Sequence, residues 1–165
     1  MKNKEAYKIS PKTQIGHVHL TVKNMEKSLI FYRDILGFEV QQHIGGAAFL
    51  SAGGYHHHIG LNIWSAEYAS KPEEGQIGLY HFAILYPDRK ELAKAVRIII
   101  DSNYPITGSA DHGVSEAVYL KDPDGNGIEI YYDKPKSDWP LDKDGKLKMF
   151  TKHLDINSLI RYADL

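Results

Sequence analysis

Two stretches decide how this chain folds: Ile15-Gly16-His17-Val18-His19-Leu20-Thr21-Val22 and Leu79-Tyr80-His81-Phe82-Ala83-Ile84-Leu85. Each is short and apolar with a histidine near its start, the pattern of a strand. The residues after each are also alike. Beyond the first, Asn24 is placed as an N-cap, Leu29, Tyr32 and Leu36 recur at helical spacing, and Gly37 is a stop. Beyond the second, Asp88 and Glu91 resemble a capping box, Leu92, Val96 and Ile99 form the apolar stripe, and Asn103 is the stop.

Three strand-like pieces then complete each half. They are 38–43, 47–51 and 55–64 in the first, with Gly45-Gly46 and Gly53-Gly54 as turns, and 106–108, 115–120 and 127–132 in the second. Pro123-Asp124-Gly125-Asn126-Gly127 supplies the turn chemistry for a hairpin. Each half therefore reads β-α-β-β-β. The expected fold is α+β, with two modules, about 13–65 and 77–133, forming one open, curved mixed sheet. The segment 65–76 is the linker. Residues 134–165, charged and bearing Pro135, Trp139 and Pro140, are an extension that packs on the domain or on a partner subunit, with a short helix capped by Asp155.

The bulk numbers narrow the function. A chain of 165 residues with 42% hydrophobic content suits one compact domain. No run approaches the ~18 apolar residues of a membrane span, and the polar stretch 1–14 argues against a secretory signal. A formal net charge of −1 gives no invitation to nucleic acid or an anionic membrane. Cysteine is absent, which excludes disulfides, thiolate nucleophiles and zinc–thiolate sites. A cytoplasmic protein is the simplest reading. Any metal here takes nitrogen and oxygen ligands, so the nine histidines matter most.

His17 and His81 open the first strands of the two halves, and His58 and Glu129 lie on what read as the last strands. If a pseudo-twofold relates the halves, all four side chains converge. Two imidazoles and one carboxylate on one face of an ion leave positions open, as in the facial triad of non-haem iron(II) oxygenases. Taken singly, a strand histidine is more often a half-buried structural residue than a ligand. In the triplet His56-His57-His58, strand alternation sets His56 and His58 on one face and His57 on the other; an accidental surface cluster is the rival reading. His19 shares a face with His17. His43 and His153 fit no pattern and are placed on the surface.

Residues 16–40, with Ser28, Phe31-Tyr32 and Leu36-Gly37, resemble the opening of the vicinal-oxygen-chelate superfamily of glyoxalase I, bleomycin-resistance proteins and extradiol dioxygenases. The run from His112 through Val118-Tyr119 and Asp122-Pro123-Asp124-Gly125 to Glu129 resembles the extradiol ring-cleavage signature, Ala110 departing from it. The likeness is to one-domain, catechol 2,3-dioxygenase-like members and covers about residues 13–133.

That resemblance implies His17, His81 and Glu129 as metal ligands, His58 as the acid/base histidine, and His112 and Tyr119 beside the substrate. It implies a divalent metal, iron(II) first and manganese(II) second, with zinc or nickel as replacements on purification. The expected reaction is extradiol cleavage of a catechol-like ring by dioxygen in a homodimer. The alternatives are a glyoxalase-type isomerase or lyase, with His58 as a fourth ligand, and a binding or resistance protein.

Overall fold

The computed structural model describes residues 6–71, 73 and 75–164. Parts of the expected N-terminal stretch, Pro72 and Glu74 of the expected linker, and Leu165 lie outside them. The first half runs β1 (Val18–Thr21), α1 (Met25–Leu29) continued by a π-helical segment (Ile30–Ile35), β2 (Glu39–Ile44), β3 (Ala47–Ser51) and β4 (Ile59–Asn62). The second runs β5 (Phe82–Tyr86), α2 (Arg89–Asp101), β6 (Ile106–Asp111), β7 (Ser115–Lys121) and β8 (Gly127–Asp133). Both halves are β-α-β-β-β.

Local chemistry explains the boundaries. The Asn24 side chain accepts the Lys27 amide at 3.0 Å, and Asp88 accepts that of Glu91 at 2.9 Å, so each helix begins on a capping side chain. The reciprocal half of the second capping box is not made: the Glu91 carboxylate pairs with Lys94 instead. Gly37, at φ +81°, ends the first helix, and Asn103, at φ +53°, comes just after the end of the second. Gly45 and Gly46, at φ +59° and +76°, make the tight β2–β3 turn, whose twist needs two positive angles. Three observed strands are shorter than the pattern suggests. β1 starts at Val18, β4 at Ile59 and β5 at Phe82, so His17, the histidine triplet and His81 lie just before their strands rather than inside them.

The strands are hydrogen-bonded as two mixed sheets, β1-β4-β3-β2 and β5-β8-β7-β6-β9, with β9 at Lys152–His153, rather than as one continuous ladder. In each, the first strand runs parallel to the last: Val18 pairs with Ile59, and Phe82 with Ile128. Both sheets also slip register at the same place, between Val40 and Gln42 and between Ile106 and Gly108. The internal repeat thus extends to a bulge that composition does not reveal.

One apolar core serves both halves, with Leu20, Phe31, Leu50 and Leu61 from the first packed with Leu92, Val96, Ile99 and Ile130 from the second. The α2 stripe Leu92, Val96 and Ile99 is fully buried, worth roughly 1.5–3 kcal/mol per side chain. The halves are also joined by polar contacts. The β7–β8 turn is organised by buried Asp122, which accepts the backbone amides of Asp124 and Asn126 and the Asn126 side-chain amide. Tyr32 of the first half donates to the same carboxylate at 2.9 Å. Burial first, and then the charge of Asp122, push the Tyr32 hydroxyl far above the ordinary tyrosine range.

The extension lies against the second half. Its β9 (Lys152–His153) adds to the outer edge of β6, and its α3 (Ile156–Ile160), capped by Asp155, buries Leu159 in the core. Arg97 of α2 donates to the Ile160 carbonyl at 2.7 Å, and the Arg89 guanidinium sits 4.0 Å over the Tyr162 ring. Among the described residues no helix is long and apolar enough to cross a membrane.

Candidate metal centre

β5 and β8 lie side by side in register, Ala83 opposite Glu129, so His81 and Glu129 project from the same face as diagonal neighbours. The imidazole Nε2 of His81 is 3.1 Å from Oε2 of Glu129. Both groups are mostly sheltered, so one nitrogen and one oxygen donor stand side by side. This donor pair fits a divalent ion of intermediate softness. Gly127 makes the approach possible: a Cβ there would run into the Tyr80 carbonyl oxygen and come within 3.1 Å of His81 Cβ.

Behind the carboxylate stands a chain of hydrogen bonds. Tyr119 is the cross-strand partner of Glu129, and its hydroxyl donates to Oε1 at 3.2 Å. That hydroxyl is also 2.7 Å from Nε2 of His112, and Nδ1 of His112 is 3.1 Å from the Thr151 hydroxyl. Burial, and after it the Glu129 charge, pushes the Tyr119 pKa up to about 12, so its proton stays on at neutral pH. Four of the six residues singled out in the sequence, His81, Glu129, His112 and Tyr119, are therefore gathered into one connected group.

The other two belong to a second cluster. His17 is exposed, and its ring lies 4.3 Å from that of His57. The Nδ1 atoms of His56 and His57 approach to 2.7 Å, so one of them carries the shared proton. Partial burial first, and then the neighbouring His17 and His56, lower the His57 pKa. His58 packs against Tyr55, and its Nδ1 accepts the Ala52 amide at 3.3 Å. With Nδ1 accepting, the neutral ring carries its hydrogen on Nε2. Since the triplet precedes β4, strand alternation does not sort its faces. Among the described residues, no group of three histidine, aspartate or glutamate side chains is arranged to hold an ion. The structure brings together two of the three expected ligands, His81 and Glu129, and leaves His17 with His57.

The ladder also corrects the repeat argument at one corner. Ile59 partners Val18 as Ile128 partners Phe82, so the counterpart of Glu129 is Gly60, and that of His58 is Gly127. Gly60 lies beneath His19, whose ring would be 2.9 Å from a Cβ built there. The first half accordingly offers an imidazole where the second has its carboxylate. His19 also contacts Phe49 and Trp64. Sequence reasoning missed Thr151, which sits in a charged segment with no repeat or motif to mark it.

The chain matches the Glyoxalase/Bleomycin resistance protein/Dioxygenase superfamily over residues 14–130. It is 44% identical over 151 residues to a catechol-2,3-dioxygenase of Bacillus subtilis, covering 92% of this chain and 52% of the relative. It is 29% identical over 136 residues to a manganese-dependent 2,3-dihydroxybiphenyl 1,2-dioxygenase of Geobacillus genomosp. 3, covering 82% of this chain and 41% of the relative. The chain thus spans about half the length of these curated relatives. Among solved structures, a glyoxalase/dioxygenase from Nostoc punctiforme superposes with a TM-score of 0.65 at 22% identity, covering 80% of this chain and 100% of that one.

Proposed function

Since the chain belongs to the glyoxalase/bleomycin resistance protein/dioxygenase superfamily, we propose that it is a divalent-metal extradiol dioxygenase acting on a catechol-like aromatic. The observation that carries this reading is the His81–Glu129 pair, backed by Tyr119 and His112 at hydrogen-bonding distance. The 44% identity to a catechol-2,3-dioxygenase supports it.

In this reading His17, His81 and Glu129 hold the ion, iron(II) or manganese(II), with zinc or nickel as replacements. A bound ion supplies a shared coordination sphere in which a diol and dioxygen meet. The chain's own residues do the rest. Tyr119 donates a hydrogen bond to Glu129 and fixes its orientation. His58 takes a diol proton at Nδ1, as that nitrogen gives up the Ala52 amide, and later returns it, a task suited to imidazole. Tyr119 and His112 stand in line behind the carboxylate and hold it in place beside the substrate. The carbon–carbon bond next to the diol breaks, and both atoms of dioxygen enter the product. The partners are therefore a small aromatic diol and dioxygen, without nucleic acid or membrane. The location is cytoplasmic, which a cysteine-free chain suits. The assembly is a homodimer, supported by the edges of β1 and β5, which have no further strand beside them among the described residues, and by exposed Leu79 and Leu85.

Anaerobic loading with iron(II), and then a catechol panel read by oxygen uptake, tests the activity. The expected result is one dioxygen consumed per diol, with a ring-opened product. Metal-loaded protein that consumes no oxygen with any diol overturns it.

A further inference from the structure

We propose that Thr151, in the C-terminal extension, is a positioning residue that sets the tautomer of His112 and thereby orients the Tyr119 proton toward Glu129. Three contacts and one proton count carry this inference. Tyr119 has a single hydroxyl hydrogen and faces two groups, Oε1 of Glu129 at 3.2 Å and Nε2 of His112 at 2.7 Å. A carboxylate has no hydrogen to give, so the hydroxyl hydrogen goes to Glu129 and Tyr119 accepts from His112. His112 must then carry its hydrogen on Nε2, which leaves Nδ1 as an acceptor. The Thr151 hydroxyl, 3.1 Å from Nδ1, is the donor that completes the chain. Every bond runs in one direction: Thr151 to His112, His112 to Tyr119, Tyr119 to Glu129.

The extension holds Thr151 from both sides. On one side Phe150 donates its amide to the His112 carbonyl, and the Phe150 ring and Pro140 press on Gly113, whose hypothetical Cβ would lie 2.7 and 2.8 Å from them. On the other, β9 pairs with Ala110 and Asp111, and the Ser109 hydroxyl binds the Leu154 carbonyl at 2.8 Å. Thr151 lies outside the stretch matched to the superfamily, residues 14–130. It is also exposed, so a change there removes a hydroxyl without opening the core.

The inference rests on the ring-cleavage reading only for its effect on turnover; the tautomer is read without it. Nitrogen-15 NMR of the histidine rings in the metal-free chain, at a pH where His112 is neutral, is the direct measurement. The unchanged protein is expected to show the Nε2–H form, Thr151→Val a mixture of the two forms, and Thr151→Ser a return to the first. In the metal-loaded protein Thr151→Val should lower kcat about tenfold with KM unchanged, the size of one lost hydrogen bond, and Thr151→Ser should restore it. An Nδ1–H form in the unchanged chain, or a tautomer indifferent to Thr151→Val, overturns the inference. A tautomer that responds in a protein that turns over no diol leaves the positioning role standing and removes the ring-cleavage reading.

Discussion

Glu129 divides its carboxylate between two neighbours, His81 on one oxygen and Tyr119 on the other. A group so placed tolerates little change. Replacing His17, His81 or Glu129 by Ala should each abolish stoichiometric metal, which in the unchanged protein should be about one divalent ion per chain by elemental analysis. Full occupancy in all three variants would refute the ligand assignment. His58→Ala should behave differently. Its ring is tied to the Ala52 amide through Nδ1, so metal affinity by titration should hold while turnover falls by roughly 10²–10⁴-fold. A large fall in affinity would instead make His58 a fourth ligand. At this scale the capping residues Asn24 and Asp88 and the turn glycines were legible, because each has a local chemical reason that sequence spacing exposes. The pairing of His58 with Glu129 across the repeat was not. A spacing count does not say where a ladder begins, and the observed register makes Gly60, not His58, the counterpart of Glu129.

Among elements, the contact between β5 and β8 decides the distance from His81 to Glu129. Gly127→Ala should act as a wedge between those strands, because its new methyl meets the Tyr80 carbonyl rather than a flexible side chain. Overpacking of this kind typically costs about 1–3 kcal/mol, and here metal affinity should fall along with the denaturation midpoint. A variant that loses neither would show that β5 moves freely relative to β8. The β-α-β-β-β order was predictable from two matching runs, whereas the parallel pairing of first and last strands is a finding of the ladders. The two-residue strand β9 was not, since it draws its pairing from the edge of β6 and not from any pattern of its own. Side chains alone suggest a strand from Tyr55 to His58, yet these residues form an exposed to half-buried loop after Gly53 and Gly54.

For the whole molecule, self-association and alkaline behaviour are the accessible readouts. Leu79, just before β5, and Leu85, on β5, are 63% and 54% exposed, and among the described residues no further strand lies beside β5 on its outer side. Sedimentation should show a dimer that Leu79→Lys with Leu85→Lys converts to monomer; a dimer that persists places the contact elsewhere. Tyr86, Tyr104 and Tyr132 are each raised from 10.0 to about 12, with burial as the first cause. Folding keeps these hydroxyls neutral, so their stabilising contribution is complete below pH 10 and is lost as pH rises from 10 to about 12. Absorbance at 295 nm should rise late, together with loss of circular dichroism. An early, reversible rise in all three tyrosines with the fold intact would contradict their burial. The pairing of the two halves around one core follows from the sequence repeat, since a single module leaves its apolar face open; that they form two ladders was visible only in the backbone hydrogen bonds.

The β9 strand has a consequence for any attempt to reduce or copy this scaffold. Two matching halves leave open which of them bears the carboxylate, and their outer strands β2 and β6 are equivalent by position. Among the described residues only β6 receives a ninth strand. The appended segment therefore lifts a degeneracy that the duplication alone retains, giving the domain a polarity from one half to the other. A minimised version cut to the repeat would lose that polarity, and with it the Thr151 hydroxyl at the end of the hydrogen-bonded chain.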